Sequence, residues 1–277
     1  MLRALPLALF AGAALLGRAQ SPAVPAGKPA PAVLTGIPAP PAGDVLAAPA
    51  PASLKRPLPP TALDLSAPSA PAIPAPARAP LTGQIDDNIY TSPTGAFSIP
   101  SPVLREFGGS VVDTGNVVTF QDEVSTLVSI ATFPLNASER WKLQLDGPKD
   151  YLAKFFNQYV LADFQRAFPG ATAEKEATFM PHMLDGALLV YMDLPGGSMF
   201  AGRVVIFDPN YKPRAAKRGN LVFLHNGYVF VISIELAERV LEGTAYTLTP
   251  EQENLELKER LEDTLNRMKF LQKAPQE

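Results

Sequence analysis

The sequence predicts an α+β domain, a mainly antiparallel sheet covered by helices. Strand-like runs follow one another through short turns, which favours antiparallel pairing. Two longer segments carry apolar residues at helical spacing. A strong hairpin signal, Asn226-Gly227, divides the most hydrophobic stretch, "LVFLHNGYVFVISIEL".

Ahead of this domain lie two segments of different character. "MLRALPLALFAGAALLGRAQS" has Arg3 as a short basic region, an apolar run from Ala4 to about Leu16, and small residues at Gly17 and Ala19. It reads as a secretory signal peptide, residues 1–19, cleaved after Ala19. The alternative, a membrane anchor, needs about 20 apolar residues to span a bilayer. Residues 20–84 then hold 17 of the chain's 30 prolines, mixed with alanine as in "PAPPAGDVLAAPAPASLKRPLPP". Such a segment can bury too little apolar surface to offset its conformational entropy and is expected to stay extended and disordered. Residues 85–277 suffice for one α+β domain with a substantial core.

Of the chain's 24 Lys and Arg and 27 Asp and Glu, six and two fall before residue 85, which leaves the domain 18 basic and 25 acidic residues, a net charge of −7. An acidic domain is a poor nucleic-acid binder, which needs a basic surface to displace counterions from phosphates. No cysteine is present, which excludes disulfides, thiolate catalysis and a lipidated cysteine. With the leader cleaved and no cysteine to carry a lipid, the expected location is the periplasm or the exterior, with no transmembrane segment after signal cleavage.

Within the domain, "SPTG" places Pro93 and Gly95 as turn residues between Ile89–Thr91 and Ala96–Ile99, a small hairpin. "NVVTFQD" and "STLVSIATF" are two strands around Asp122-Glu123. A helix runs through "DGPKDYLAKFFNQYVLADFQRAFPG", with Pro148 in its first turn and Pro169-Gly170 at its end. Leu152, Phe155, Phe156, Tyr159, Val160, Phe164 and Phe168 form its core face. Strands resume in "EATFMPH", "GALLVYMDL" and "RVVIFD". The last helix is capped by Thr249, with Pro250 at its first position and Gln252 completing a capping box. Leu257, Leu261, Leu265 and Met268 line its inner stripe, and the opposing glutamates read as a solvated face.

Asn226-Gly227 suits a two-residue type I′ turn, in which both residues need positive φ. That fixes the register: His225 opposite Tyr228, Leu224 opposite Val229, Phe223 opposite Phe230, Val222 opposite Val231. Both faces of the pair are apolar, so both are expected to be covered. His225 is then a residue of the hairpin tip. The competing reading is an envelope hydrolase or transferase that uses His225 or His182 with nearby carboxylates. A zinc site would need three or four ligands, and two histidines in separate segments with no cysteine do not supply the usual set. No cofactor is expected. "LPGGSMFAG" fails the nucleophile-elbow pattern because Phe200 stands where its second glycine belongs. No phosphate-binding glycine loop is present. Asn136 opens an Asn-Ala-Ser glycosylation-type triplet.

One cluster invites a binding role. "DPNYKPRAAKRG" puts Lys212, Arg214, Lys217 and Arg218 in what reads as a single loop of an acidic domain. Such a loop could meet an unidentified protein or an anionic envelope component.

The pattern resembles the PsbP/Mog-type fold, which includes the extrinsic PsbP proteins of photosystem II, the Mog-type Ran-binding proteins and bacterial envelope proteins of the DcrB kind. The resemblance rests on "YTSPTGAFSIPSP", "VVTFQDEVSTLVSIATFP", the single long helix, "KRGNLVFLHNGYVFVIS" and the closing helix ending in "MKF". A tryptophan that often follows the opening proline is replaced here by "PVLREF", and the chain's one tryptophan is Trp141. The resemblance implies a non-enzymatic accessory or binding domain. A structural subunit of an envelope complex is a third reading, which a large exposed apolar patch would favour. If the leader is cleaved as expected, the intact mass of the protein from its native host corresponds to a chain that starts at Gln20. Retention of Met1 overturns that expectation.

Overall fold

The structure, a computed structural model, describes residues 81–203 and 214–271. The leader-like residues 1–19, the Pro/Ala-rich segment up to residue 80, all but Arg203 of the expected strand "RVVIFD", and Lys212 lie outside the described residues.

The Asn226-Gly227 hairpin sets the architecture. Asn226 has φ +50° and Gly227 φ +80°, the left-handed pair a type I′ turn requires. The strands it joins, β10 (Ala216–His225) and β11 (Tyr228–Glu235), pair in the expected register from His225 opposite Tyr228 to Arg218 opposite Glu235. Around them lie β4 (Ser110–Asp113), β5 (Val117–Gln121), β6 (Leu127–Pro134), β7 (Thr172–Ala173), β8 (Thr178–Met180) and β9 (Ala187–Leu194). Among the described residues these form one eight-stranded antiparallel sheet of order β4-β5-β6-β11-β10-β9-β7, with β8 also on β9. A four-stranded sheet of order β1-β2-β3-β12 holds β1 (Gln84–Asp86), β2 (Ile89–Thr91), β3 (Phe97–Pro100) and β12 (Lys269–Phe270).

Because the hairpin is central, its alternating side chains feed two cores. Leu221, Phe223, Phe230 and Ile232 join Tyr90, Phe97 and Ile99 of the small sheet and Leu257 and Leu261 of the last helix. Val222, Leu224, Val229 and Val231 join Leu152, Phe156, Val160 and Phe164 of the first helical layer. The described residues thus form three layers, with helices on one side of the large sheet and the small sheet plus the last helix on the other.

The first helical layer starts earlier than the sequence reading placed it. α1 spans Ala137–Phe155, and Asn136, read as a glycosylation-type residue, caps it by accepting the Glu139 backbone N–H at 2.9 Å. Gly147 breaks the helix at φ +76°, and the Pro148 start read from sequence is the resumption after that kink. A π-helical stretch (Phe156–Leu161) leads into α2 (Ala162–Ala167).

On the other side α3 is Glu238–Leu241 and α4 is Pro250–Arg267. Thr249 and Gln252 form the expected capping box. α4 sits so close to β10 that a Cβ on Gly219 would lie 2.9 Å from Leu261 and 3.1 Å from Leu257. Glycine is the residue that permits this approach. At the β5–β6 turn the Asp122 carboxylate accepts three backbone N–H groups, from Val124, Ser125 and Thr126, at 2.8–2.9 Å. Partial burial opposes ionisation there, but those donors prevail and hold its pKa below the usual value.

The hairpin yields an ordered set of stabilities in urea denaturation. His225→Gln should cost under about 1 kcal/mol, as peripheral substitutions do. Gly227→Val should cost more, because a β-branched residue is strained at positive φ. Phe230→Ala, which removes a fully buried ring stacked at 5.0 Å on Phe223, should cost about 3–5 kcal/mol. A different order overturns the structural role given to the turn.

Candidate functional site

The first half of α1 carries an exposed apolar face. Trp141 and Leu145, one turn apart and so on one helix face, are each 63% exposed. Immediately beyond Leu145 the Gly147 kink opens a groove of about 430 Å³. One wall is Asp146–Asp150, and the other comes from β8 and the turn after it, through Phe179, Pro181, Asp185 and Gly186. Gly186, at φ +112°, lets the walls close up, since a Cβ there would lie 3.2 Å from Pro148 and 3.5 Å from the Phe179 ring. In the same turn Leu184 holds φ +53°, a strained value for a branched side chain, and it is 38% exposed.

The rim is charged. Asp146 is taken by Lys154 at 2.6 Å. Asp150 and Asp185 carry no Lys or Arg partner among the described residues, and the Asp185 side chain is 65% exposed. His225 stands behind Asp185 with Nδ1 3.7 Å from Oδ2, beyond hydrogen-bond distance. Its ring packs on Phe270 at 4.4 Å. His182 is exposed in the same turn as Leu184. Among the described residues neither histidine is hydrogen-bonded to a carboxylate, and no group of three or more His, Asp or Glu could hold a metal ion. The hairpin tip supports the groove wall through the backbone: Asp185 N–H donates to the Leu224 carbonyl at 3.2 Å, and Leu224 N–H to the Gly186 carbonyl at 3.0 Å.

The expected basic loop is corrected for two of its residues. β10 begins at Ala216, so Lys217 and Arg218 are strand residues that point to opposite faces, and both are buried. Lys217, 2% exposed, bonds Glu174 at 2.7 Å and Glu253 at 3.2 Å. Glu253 also meets Arg239 at 3.3 Å and accepts the Tyr246 hydroxyl at 3.0 Å, and Arg239 reaches Asp193 at 2.6 Å. This corrects the reading of the α4 glutamates as a wholly solvated face. Burial, then the Glu174 charge, push the nearby Tyr191 hydroxyl up to about 12. Arg218 pairs with Glu235 at 3.1 Å and lies over the Phe164 ring. Burial holds its guanidinium below the usual value despite Glu235. Arg214 stays exposed with its guanidinium over Tyr246. Lys217 and Arg218 are thereby engaged inside the protein and turned away from any anion in solvent.

A second groove, of about 520 Å³, lies between α4 and the ends of β6 and β11. Arg260 ties Glu238 and Glu256 together along it.

No family model matches the chain, and no curated protein matches it. Solved structures do. Cyanobacterial PsbP (CyanoP) from Synechocystis is similar over 66% of this chain and 91% of its own, at 13% identity and a TM-score of 0.38. The Ran-binding protein Mog1p of Saccharomyces cerevisiae is similar over 68% of this chain and 97% of its own, at 8% identity and a TM-score of 0.34. Both belong to the PsbP/Mog-type fold that the sequence resembles, and the likeness is a loose one.

The ionic network predicts a clear asymmetry. Lys217→Met removes the ammonium that Glu174 and Glu253 share and should cost about 3 kcal/mol in urea denaturation, the low end for a broken buried pair, because Arg239 still faces Glu253. Adding Glu253→Gln should restore part of that loss. Two effects that simply add would show that the residues do not interact.

Proposed function

We propose that this chain is an exported, non-enzymatic binding module. It is carried on a Pro/Ala-rich tether and contacts a protein partner through the Trp141–Leu145 face and the adjoining groove. The exposed tryptophan carries the reading. Exposing a ring of this size forgoes the burial that stabilises most large aromatics, and tryptophan is among the residues that dominate binding energy at protein interfaces. The face adjoins a groove whose residues are set by a kink, a close glycine contact and a strained leucine. Export is supported by the leader-like residues 1–19, and the tether by the composition of residues 20–84. A rim bearing Asp150 and Asp185 suits a partner with positive charge better than the anionic component considered for the basic residues.

Site-specific photocrosslinking in the native host tests this reading. A benzophenone side chain in place of Trp141 should give a discrete higher-mass adduct. The same group at Leu255, which is 56% exposed on α4, should give none. Equal adduct patterns at the two positions, or none at 141, overturn the proposal.

A further inference from the structure

Resting on the binding-module reading, we infer that the groove takes an extended segment of the partner protein, with apolar side chains at alternate positions and a lysine or arginine beside them. Three features of the groove define that occupant. First, β8 is paired on one side alone, with β9, among the described residues. Its Phe179 and the following Pro181 form a groove wall. Apart from the Met180 carbonyl, which accepts the Met183 N–H at 3.3 Å, the unpaired side of β8 offers backbone groups that a short extended chain can match, and alternate side chains of the added strand then fall on one side.

Second, the two walls bring apolar residues together. Pro148 on one and Phe179 and Pro181 on the other line the groove, and at about 430 Å³ the space lies within the roughly 300–1,000 Å³ typical of ligand sites. Leu145 and Leu184, next in sequence to the lining residues Asp146 and Asp185, are exposed and add apolar surface beside it.

Third, the rim selects charge. Asp146 is neutralised by Lys154. That leaves the Asp150 and Asp185 carboxylates against the Lys149 ammonium, and a cationic side chain of the occupant completes the balance. Complementary charge at a rim of this kind chiefly sets selectivity and encounter rate. A lipid surface would also accept Trp141 and Leu145, but the Asp150 and Asp185 carboxylates would repel anionic headgroups.

The chain's one tryptophan serves as the reporter. Full-length protein is titrated with the peptide acetyl-Lys-Thr-Leu-Thr-Leu-Thr-Leu-Lys-amide and with its twin that has glutamate at both ends, and Trp141 emission is followed. The lysine peptide should shift the emission to the blue and saturate, binding about tenfold tighter than the glutamate peptide. Asp150→Asn combined with Asp185→Asn, both at the surface, should erase most of that preference, whereas Glu259→Gln on α4 should leave it intact. Equal binding of the two peptides overturns the inference, as does no shift up to about 1 mM peptide, a free energy of about −4 kcal/mol. A shift produced by phosphatidylglycerol vesicles but not by peptide assigns the face to lipid. A shift that follows protein concentration alone assigns it to a second copy of the chain. Either result overturns the inference too. A discrete crosslink from position 141 without peptide binding rejects this occupant and leaves the binding module standing.

Discussion

The structure depends on one pairing: β10 with β11, locked in register by Asn226-Gly227. Both faces of that hairpin are buried, so each strand must send one set of side chains to each core. A slip of a single residue would exchange the two sets. Phe223 and Phe230 would then point at the α1 layer, and Val222 and Val231 at the small sheet. Neither core could close, because the first is filled by rings stacked at 5.0 Å and the second by smaller residues under the helices. The turn has no spare residue to absorb a slip. Positive φ at both its positions keeps the register at one value.

The same alternation governs the polar end of the sheet. Lys217 and Arg218 are adjacent in sequence but face opposite layers, and each finds its own counter-charge there, Glu174 with Glu253 on one side and Glu235 on the other. Buried charges persist when they are paired and hydrogen-bonded. Lys217 joins β10 to α4 and to the segment ahead of β8, so the network also orients the helix that the glycine contact at Gly219 brings close. Directional ionic contacts and an apolar close approach thus act on one helix from the same strand.

Much of this was legible in the sequence, for identifiable reasons. The hairpin register, the capping box of α4 and the two-faced core follow from local rules that leave few alternatives, such as positive φ in a tight turn or a fixed donor spacing at a helix start. The start of α1 was hidden because Gly147-Pro148 is itself a sound local helix start, while Asn136 matches a modification triplet as well as a cap. Lys217 and Arg218 read as loop residues because Pro213 and four cations precede the apolar run. Their counter-charges lie on elements distant in sequence, which spacing cannot reveal. The groove has the same origin. Gly147 and Phe179 are separated by more than 30 positions, and they become neighbours only when the helix kinks over the edge strand. That Trp141 would face outward could not be read from a helix whose first half had not been recognised.

The entry of the chain into the domain has a mechanical side. The Asp113 carboxylate on β4 accepts the backbone N–H groups of Thr82 and Gly83 and the Tyr90 hydroxyl. Just beyond, β1 pairs antiparallel with β2, beginning at Gln84 opposite Thr91. Tension applied to the chain ahead of residue 81 therefore meets one carboxylate clamp and then a short ladder loaded from its open end. Such a ladder parts rung by rung rather than in shear, so β1 yields under modest force. Because β1 is exposed at all three positions and adds no residue to either core, its release would lengthen the entry of the chain and leave the large sheet intact.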